Sequence, residues 1–282
     1  MNKSSIMVFS PARSGSTVLS LILGAHSEIT NFGESHWLAK DTVSRQKSNP
    51  KVVCRAHGEE CHVLKEFPFD ESEYSNHFSL LSSICETKYI LTTNKTMGHY
   101  SYMDTNLLSN FTILLYKPFE VWAGSYLSGN RKKLPENKKE AISVLANRYF
   151  KYFRTHQEFL KGKDFSNLMV VEYLRLVTEK ANYVKEICDF LGIKFEDRMM
   201  KFNTYLTSGE TDNHPIGGNV RTYGNLNRGQ DDRYEKDENN IYLEKKYLDY
   251  LDEDELSEIR SWDRVRALNE NLGIRLRAKD LE

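Results

Sequence analysis

The run Ile6 to Thr17, IMVFSPARSGST, constrains this chain more than any other stretch. Four apolar residues lead into a turn of Ser, Pro, Ala, Arg, Ser and Gly, and Ser16 to Leu23 (STVLSLIL) continues at helical spacing. The segment therefore reads as a strand, a tight loop and a helix start. A loop at a helix N-terminus presents backbone N–H groups without intrahelical partners and the positive end of the helix dipole, so it favours an anion. Gly15 lets the backbone approach that anion closely, while Arg13, Ser14, Ser16 and Thr17 add a fixed charge and three hydroxyls. The expected ligand group is a phosphate or sulfate.

A nucleoside-triphosphate loop follows G-x-x-x-x-G-K-[ST]. Here Gly15 and Thr17 fit, Ser10 stands in place of the first Gly, and Ser16 replaces the Lys that would reach the β and γ phosphates. The pattern is broken where triphosphate chemistry needs it most. A P-loop kinase also wants an Asp after a core strand to hold magnesium, and FTILLYK lacks one. With Lys plus Arg at 39 and Asp plus Glu at 40, no global field points to nucleic acid or an acidic membrane. No apolar run approaches the roughly 18 residues of a membrane span, and MNKSSIMVF enters a strand without signal-peptide architecture. The expectation is a cytoplasmic protein. Cys54, Cys61, Cys85 and Cys188 are too few and too scattered for a disulfide framework.

Further strands are expected at Glu28–Phe32, at Tyr89–Leu91 with the polar exit Thr92 to Thr96, at Phe111–Tyr116, and at Asn167–Tyr173. Between them lie helices over Pro118–Leu127, Glu140–Leu160 and Lys180–Leu191, the last ending at Gly192 as a C-cap. One charged helix is expected over Asp252–Leu272. Strands alternating with helices indicate an α/β fold: a single domain, 1–282, with a mainly parallel sheet of four to five strands and helices on both faces. Residues 44–75 lose periodicity and read as an irregular cap; 207–240, rich in Gly and Asn, read as an irregular functional loop. Inside the cap, CRAHGEECH places Cys54, His57, Cys61 and His62 close in sequence. Without a second evenly spaced pair, and with adjacent Cys61 and His62 badly placed for one tetrahedral ion, the expectation is no metal.

P-x-R-S-G-S-T after a first strand resembles the 5′-phosphosulfate loop of sulfotransferases that use 3′-phosphoadenosine 5′-phosphosulfate (PAPS). Four later segments resemble the same family in the same order. Thr92-Thr93-Asn94-Lys95-Thr96 is similar to its Asp/Asn-Lys-Thr-Pro turn, with Met97 in place of Pro. Lys117 and Ser125 keep the spacing of the Arg and Ser that clamp the cofactor's 3′-phosphate; Lys is a point charge rather than a fork, and a register with Tyr116 at the Arg position stays open. Val171-Glu172-Tyr173-Leu174 with Phe190-Leu191-Gly192 resembles the family's Tyr-Glu-x-Leu and Phe-Leu-Gly pairing, and Val171 stands where its Tyr would be. HPIGGNVRTYG followed by DDRY resembles a segment that folds over the cofactor, with Val220 for Pro and Tyr234 for Trp.

The resemblance implies PAPS as sulfuryl donor, without a metal, and a cofactor site of Arg13, Ser14, Gly15, Ser16, Thr17, Lys117 and Ser125, with Arg131 auxiliary and Gly218, Asn219 and Arg221 covering. Arg13 and Lys95 are expected against the transferring group and leaving phosphate. Glu34, in Phe-Gly-Glu, is the expected general base, and His36 is its rival because a near-neutral pKa suits the task. If the segment is extended they share a side, and if it is helical they do not. The implied acceptor is the hydroxyl, or an amide or carbamoyl nitrogen, of a small molecule such as a secondary metabolite, with no nucleic acid or membrane partner and no reading of oligomeric state. A P-loop kinase or nucleotidase, a carbohydrate sulfotransferase, and a nucleotide-binding protein without catalysis are the alternatives.

Overall fold

Strand β1 (Ser4–Phe9) alternates its buried side chains strictly, sending Ile6 and Val8 to one apolar cluster and Met7 and Phe9 to the other. A strand that is apolar on both sides belongs in the interior of a parallel sheet covered on both faces. The computed structural model, which describes residues 3–40, 53–67, 77–95, 111–130, 133–160, 167–202, 213–218, 223 and 251–271, places it there. With β2 (Ile29–Gly33), β3 (Tyr89–Asn94), β4 (Phe111–Tyr116), β5 (Leu168–Glu172) and β6 (Asn213–Ile216), it forms a sheet of order β5-β4-β1-β3-β2-β6. All five pairings are parallel.

Six strands replace the four to five expected. The sixth comes from the segment read as an irregular loop. β6 reads Asn-His-Pro-Ile, too short for a strand pattern, and its Pro215 is tolerable because β6 lies at the sheet edge.

Helices close both faces. On one side α1 (Ser16–Gly24), α7 (Tyr173–Thr178) and α8 (Lys180–Leu191) pack Leu19, Ile22, Leu176, Val184 and Ile187 against Ile6, Val8, Ile113 and Leu115. The other side is covered by α3 (His62–Glu66), α4 (His77–Ile84), α5 (Phe119–Asn130), α6 (Lys138–Leu160), α9 (Glu253–Ser261) and α10 (Asp263–Asn271). Each large apolar side chain buried this way contributes about 1.5–3 kcal/mol of transfer free energy. The expected single helix over 252–272 is two, broken at Trp262, whose extended backbone (ψ 124°) cannot continue a helix. Asp252 starts the first of them with a capping box to Glu255. Gly192 caps α8 in the left-handed conformation as its sequence predicts, at φ 68°.

The registers align the strand ends. Phe9 pairs with both Asn94 and Leu114, so β1 and β3 finish at one level, β4 runs two residues further, and their loops leave from one edge of the sheet. β1 is followed by strands to one side (β2 and β3), and the chain then crosses to β4 on the other. Open α/β sheets bind ligands in the crevice beyond the strand C-termini at such a reversal.

Candidate active site

The expected residues that fall within the described structure lie on this edge. The loop after β1 carries Arg13 to Thr17, the end of β2 carries Glu34, β3 is followed by Lys95, β4 by Lys117, and β6 by Gly218. Arg131, Asn219 and Arg221 lie outside the described residues.

The loop is shaped for close approach. Gly15 is the N-cap of α1 at φ 93°, and no side chain caps the helix. A Cβ at Gly15 would stand 2.5 Å from the Tyr173 ring, so both conformation and space call for glycine. Arg13 also has positive φ (71°), uncommon for a non-glycine residue and a mark of a constrained loop. Ser14 is fully buried, as is Ser10 just before the loop, and neither hydroxyl has a hydrogen-bond partner among the described residues.

Around the loop the polar residues form two groups. In the first, Lys95 Nζ donates to Ser16 Oγ at the first turn of α1 and stands 3.6 Å from Glu34 Oε1. Trp37 Nε1 donates to the other carboxylate oxygen, Glu34 Oε2, at 3.0 Å. The Lys95 and Glu34 side chains are 19% and 13% exposed, sheltered enough for their attraction to exceed that of a surface pair. Burial pushes the Lys95 ammonium below its usual range, and Glu34 opposes that shift. β6 holds Glu34 from below: the Glu34 amide donates to the Ile216 carbonyl at 2.8 Å. A Cβ at Gly33 (φ 57°) would come within 2.9 Å of that carbonyl oxygen, so glycine at the end of β2 permits the approach.

In the second group, Lys117 Nζ donates to Ser125 Oγ at 2.8 Å and sits 4.4 Å from the centre of the Tyr173 ring, a cation–π contact. Arg13 Nη1 donates to the Ser125 carbonyl at 3.2 Å, with its guanidinium 5.9 Å from the Tyr126 ring. Arg13, expected beside Lys95, is thus directed to the Lys117 side. Of the two registers, Tyr116 is fully buried in the aromatic core beside Tyr149 and Phe153, whereas Lys117 meets Ser125.

His36 and Glu34 diverge. The Trp37 amide donates to the Glu34 carbonyl and the Leu38 amide to that of Ser35, so the chain is already turning into α2 (His36–Lys40). His36 is buried against the Trp37 ring at 4.9 Å, while Glu34 faces Lys95. Gly218 faces Thr17: a Cβ there would meet the Tyr223 ring at 3.0 Å and Thr17 Oγ1 at 3.9 Å.

Two residues escaped the sequence reading. Tyr173, directly after β5, is the plate against which Gly15 and Lys117 rest; its position one residue beyond a core strand was the available signal. Trp37 fixes the Glu34 carboxylate, and its place three residues on, within one turn, was the clue.

No curated protein matches the chain in sequence. Two solved structures share its fold over nearly its whole length. The sulfotransferase domain from the curacin biosynthetic pathway is 17% identical with a TM-score of 0.58, covering 97% of this chain and 99% of its own. The sulfotransferase domain of the Synechococcus PCC 7002 olefin synthase is 17% identical with a TM-score of 0.56, covering 93% and 96%. The sulfotransferase domain family itself matches residues 113–253, from within β4 through the Lys117–Ser125 junction to the start of α9. The chain belongs to the sulfotransferase domain family and is an enzyme of that class.

Proposed function

We propose that this enzyme transfers the sulfuryl group of PAPS to a hydroxyl, or an amide or carbamoyl nitrogen, of a small-molecule acceptor in the cytoplasm, with Glu34 as general base. The observation that carries the proposal is the chain of contacts Glu34–Lys95–Ser16, which sets a carboxylate and an ammonium directly against the anion-favouring loop.

The residues fit a ligand with two anionic ends. The loop amides with Ser14, Ser16 and Thr17 receive the 5′-phosphosulfate end. Ser14 Oγ supports this, because a buried hydroxyl left without a partner costs about 1–3 kcal/mol that a phosphate oxygen would recover. Lys117, Ser125 and Arg13 receive the 3′-phosphate, and Gly218, Asn219 and Arg221 belong to the covering loop, with Arg131 auxiliary. In the transfer, the acceptor lone pair forms the new bond to sulfur as the bond from sulfur to the bridging oxygen breaks. The acceptor proton goes to Glu34, and Lys95 neutralises the charge growing on the leaving phosphate. Trp37 holds the carboxylate in one orientation throughout, as positioning reduces the barrier.

A small neutral or polar acceptor accords with the balanced charge of the chain, 39 Lys plus Arg against 40 Asp plus Glu. The four cysteines are free, in keeping with a reducing compartment. No described helix is long and apolar enough to cross a membrane.

The test is transfer from radiolabelled PAPS to a panel of hydroxyl and amide acceptors, run with the wild type and Glu34→Gln. Turnover should fall about 10²–10⁴-fold in Glu34→Gln, while affinity for adenosine 3′,5′-bisphosphate stays within a few-fold. Undiminished turnover in that variant would remove Glu34 from the role of base.

A further inference from the structure

The Cys and His stretch set aside in the sequence acquires a partner in the fold. The described residues 53–67 pack on edge strand β6. Cys54 bridges to Ile216, the Arg55 amide donates to the Pro215 carbonyl at 2.8 Å, and Arg55 Nε donates to the Gly217 carbonyl at 3.1 Å. This docking brings His214, in the middle of β6, against Cys54, His57 and Cys61. The four ligand atoms lie within 4.8 Å of one another. Cys61 Sγ is 3.2 Å from His214 Nδ1, and Cys54 Sγ is 3.5 Å from His57 Nδ1. Tetrahedral zinc with sulfur at about 2.3 Å and nitrogen at about 2.0–2.1 Å requires ligand atoms roughly 3.4–3.8 Å apart. Two of the separations are near that scale, and none in the set exceeds 4.8 Å.

We propose that Cys54, His57, Cys61 and His214 bind one zinc ion as a closed structural site that ties the 53–67 segment to β6. Adjacent Cys61 and His62 were expected to be badly placed for one ion; His62 lies outside the set, with its ring edge-on to His214 at 4.7 Å, and His214 takes the fourth place. Two thiolates and two imidazoles are the donor set of structural zinc, and four protein ligands leave no position for a substrate. Cys54, Cys61 and His214 are buried and His57 is exposed, so the ion has an entry path on the His57 side. The His57 amide points at Cys54 Sγ from 3.4 Å, which holds that sulfur turned toward the other three ligand atoms.

The ion would steady catalysis without entering it. His214 lies two residues before Ile216, whose carbonyl holds the Glu34 amide, so zinc would brace the strand on which the proposed base rests. Metal binding is independent of the sulfuryl-transfer reading, and its test does not use turnover.

The full-length protein, purified without chelator, should carry one zinc per chain by elemental analysis. Replacement with cobalt should give the intense visible bands of a tetrahedral thiolate site. His57→Ala, at an exposed position where loss of folding is not at issue, and Cys61→Ser should each lower zinc content and weaken those bands. Cys188→Ser, outside the cluster, should leave both unchanged. Failure of the metal-free protein to take up zinc or cobalt would overturn the proposal, and so would a Cys54–Cys61 disulfide in the freshly purified protein. Wild-type zinc content in both His57→Ala and Cys61→Ser would do the same.

Discussion

Glu34 owes its place to residues that are distant in sequence. Lys95 comes from the end of β3, Ile216 from β6, and only Trp37 is local. The sequence showed that a carboxylate follows the second strand, but not which way it faces relative to His36, because that depends on whether the chain turns at Ser35. The positive φ at Arg13 and the ring of Tyr173 beneath Gly15 were equally hidden. Both arise from tertiary contact rather than from local propensity.

Glu120 is a residue whose burial has a measurable consequence. It sits fully buried in the first turn of α5, with Oε1 3.7 Å from Arg260 Nε on α9. Burial pushes its carboxyl above the usual range, more strongly than Arg260 pulls it down. Above the unfolded carboxylate pKa, the folded chain therefore holds a proton that the unfolded chain has released. Stability from this residue is full at acid pH and is lost as pH rises toward the folded value. Glu120→Gln should remove that loss: in thermal melts from acid to neutral pH its Tm should fall less than that of the wild type. Parallel curves for the two proteins would contradict this.

Among the elements, α5 and α6 meet beneath the proposed second anion site. Tyr149 on α6 is buried among Phe119, Trp122 and Phe153, with ring centres 4.8–5.3 Å away, and its hydroxyl donates to the Lys117 carbonyl at 2.7 Å. The sequence marks a helix over most of α6, yet the hydroxyl's grip on the β4 exit could not be read from spacing. Tyr149→Phe keeps the packing and leaves the Lys117 carbonyl without that donor, at a cost of about 1–3 kcal/mol in denaturant unfolding. Affinity for adenosine 3′,5′-bisphosphate should fall with it, since Lys117 loses its anchor. Unchanged stability and affinity would show that the bond does not position Lys117. β6 is the opposite case: a four-residue edge strand carrying a proline has no pattern to find, and only its pairing with β2 reveals it.

At the scale of the whole molecule, strand and helix alternation was legible because central parallel strands are apolar on both faces, as FTILLY is. The meeting of loops at one sheet edge follows from parallel topology, so residues scattered from Arg13 to Gly218 could be expected to meet. Which of them touch depends on strand order and register. Hence the division into a Lys95–Glu34 group and a Lys117–Arg13 group emerged only from the fold. That division supports the proposed reading of the crevice as a receptor for a ligand with phosphate at both the 3′ and 5′ positions rather than for a magnesium triphosphate. Calorimetric titration of the full chain with adenosine 3′,5′-bisphosphate in the presence of chelator, beside ATP with magnesium, tests it directly. The account predicts saturable binding of the bisphosphate without magnesium, weakened at least about tenfold, or 1.4 kcal/mol, in Lys117→Met. Preference for magnesium ATP, or no binding of the bisphosphate, would contradict it.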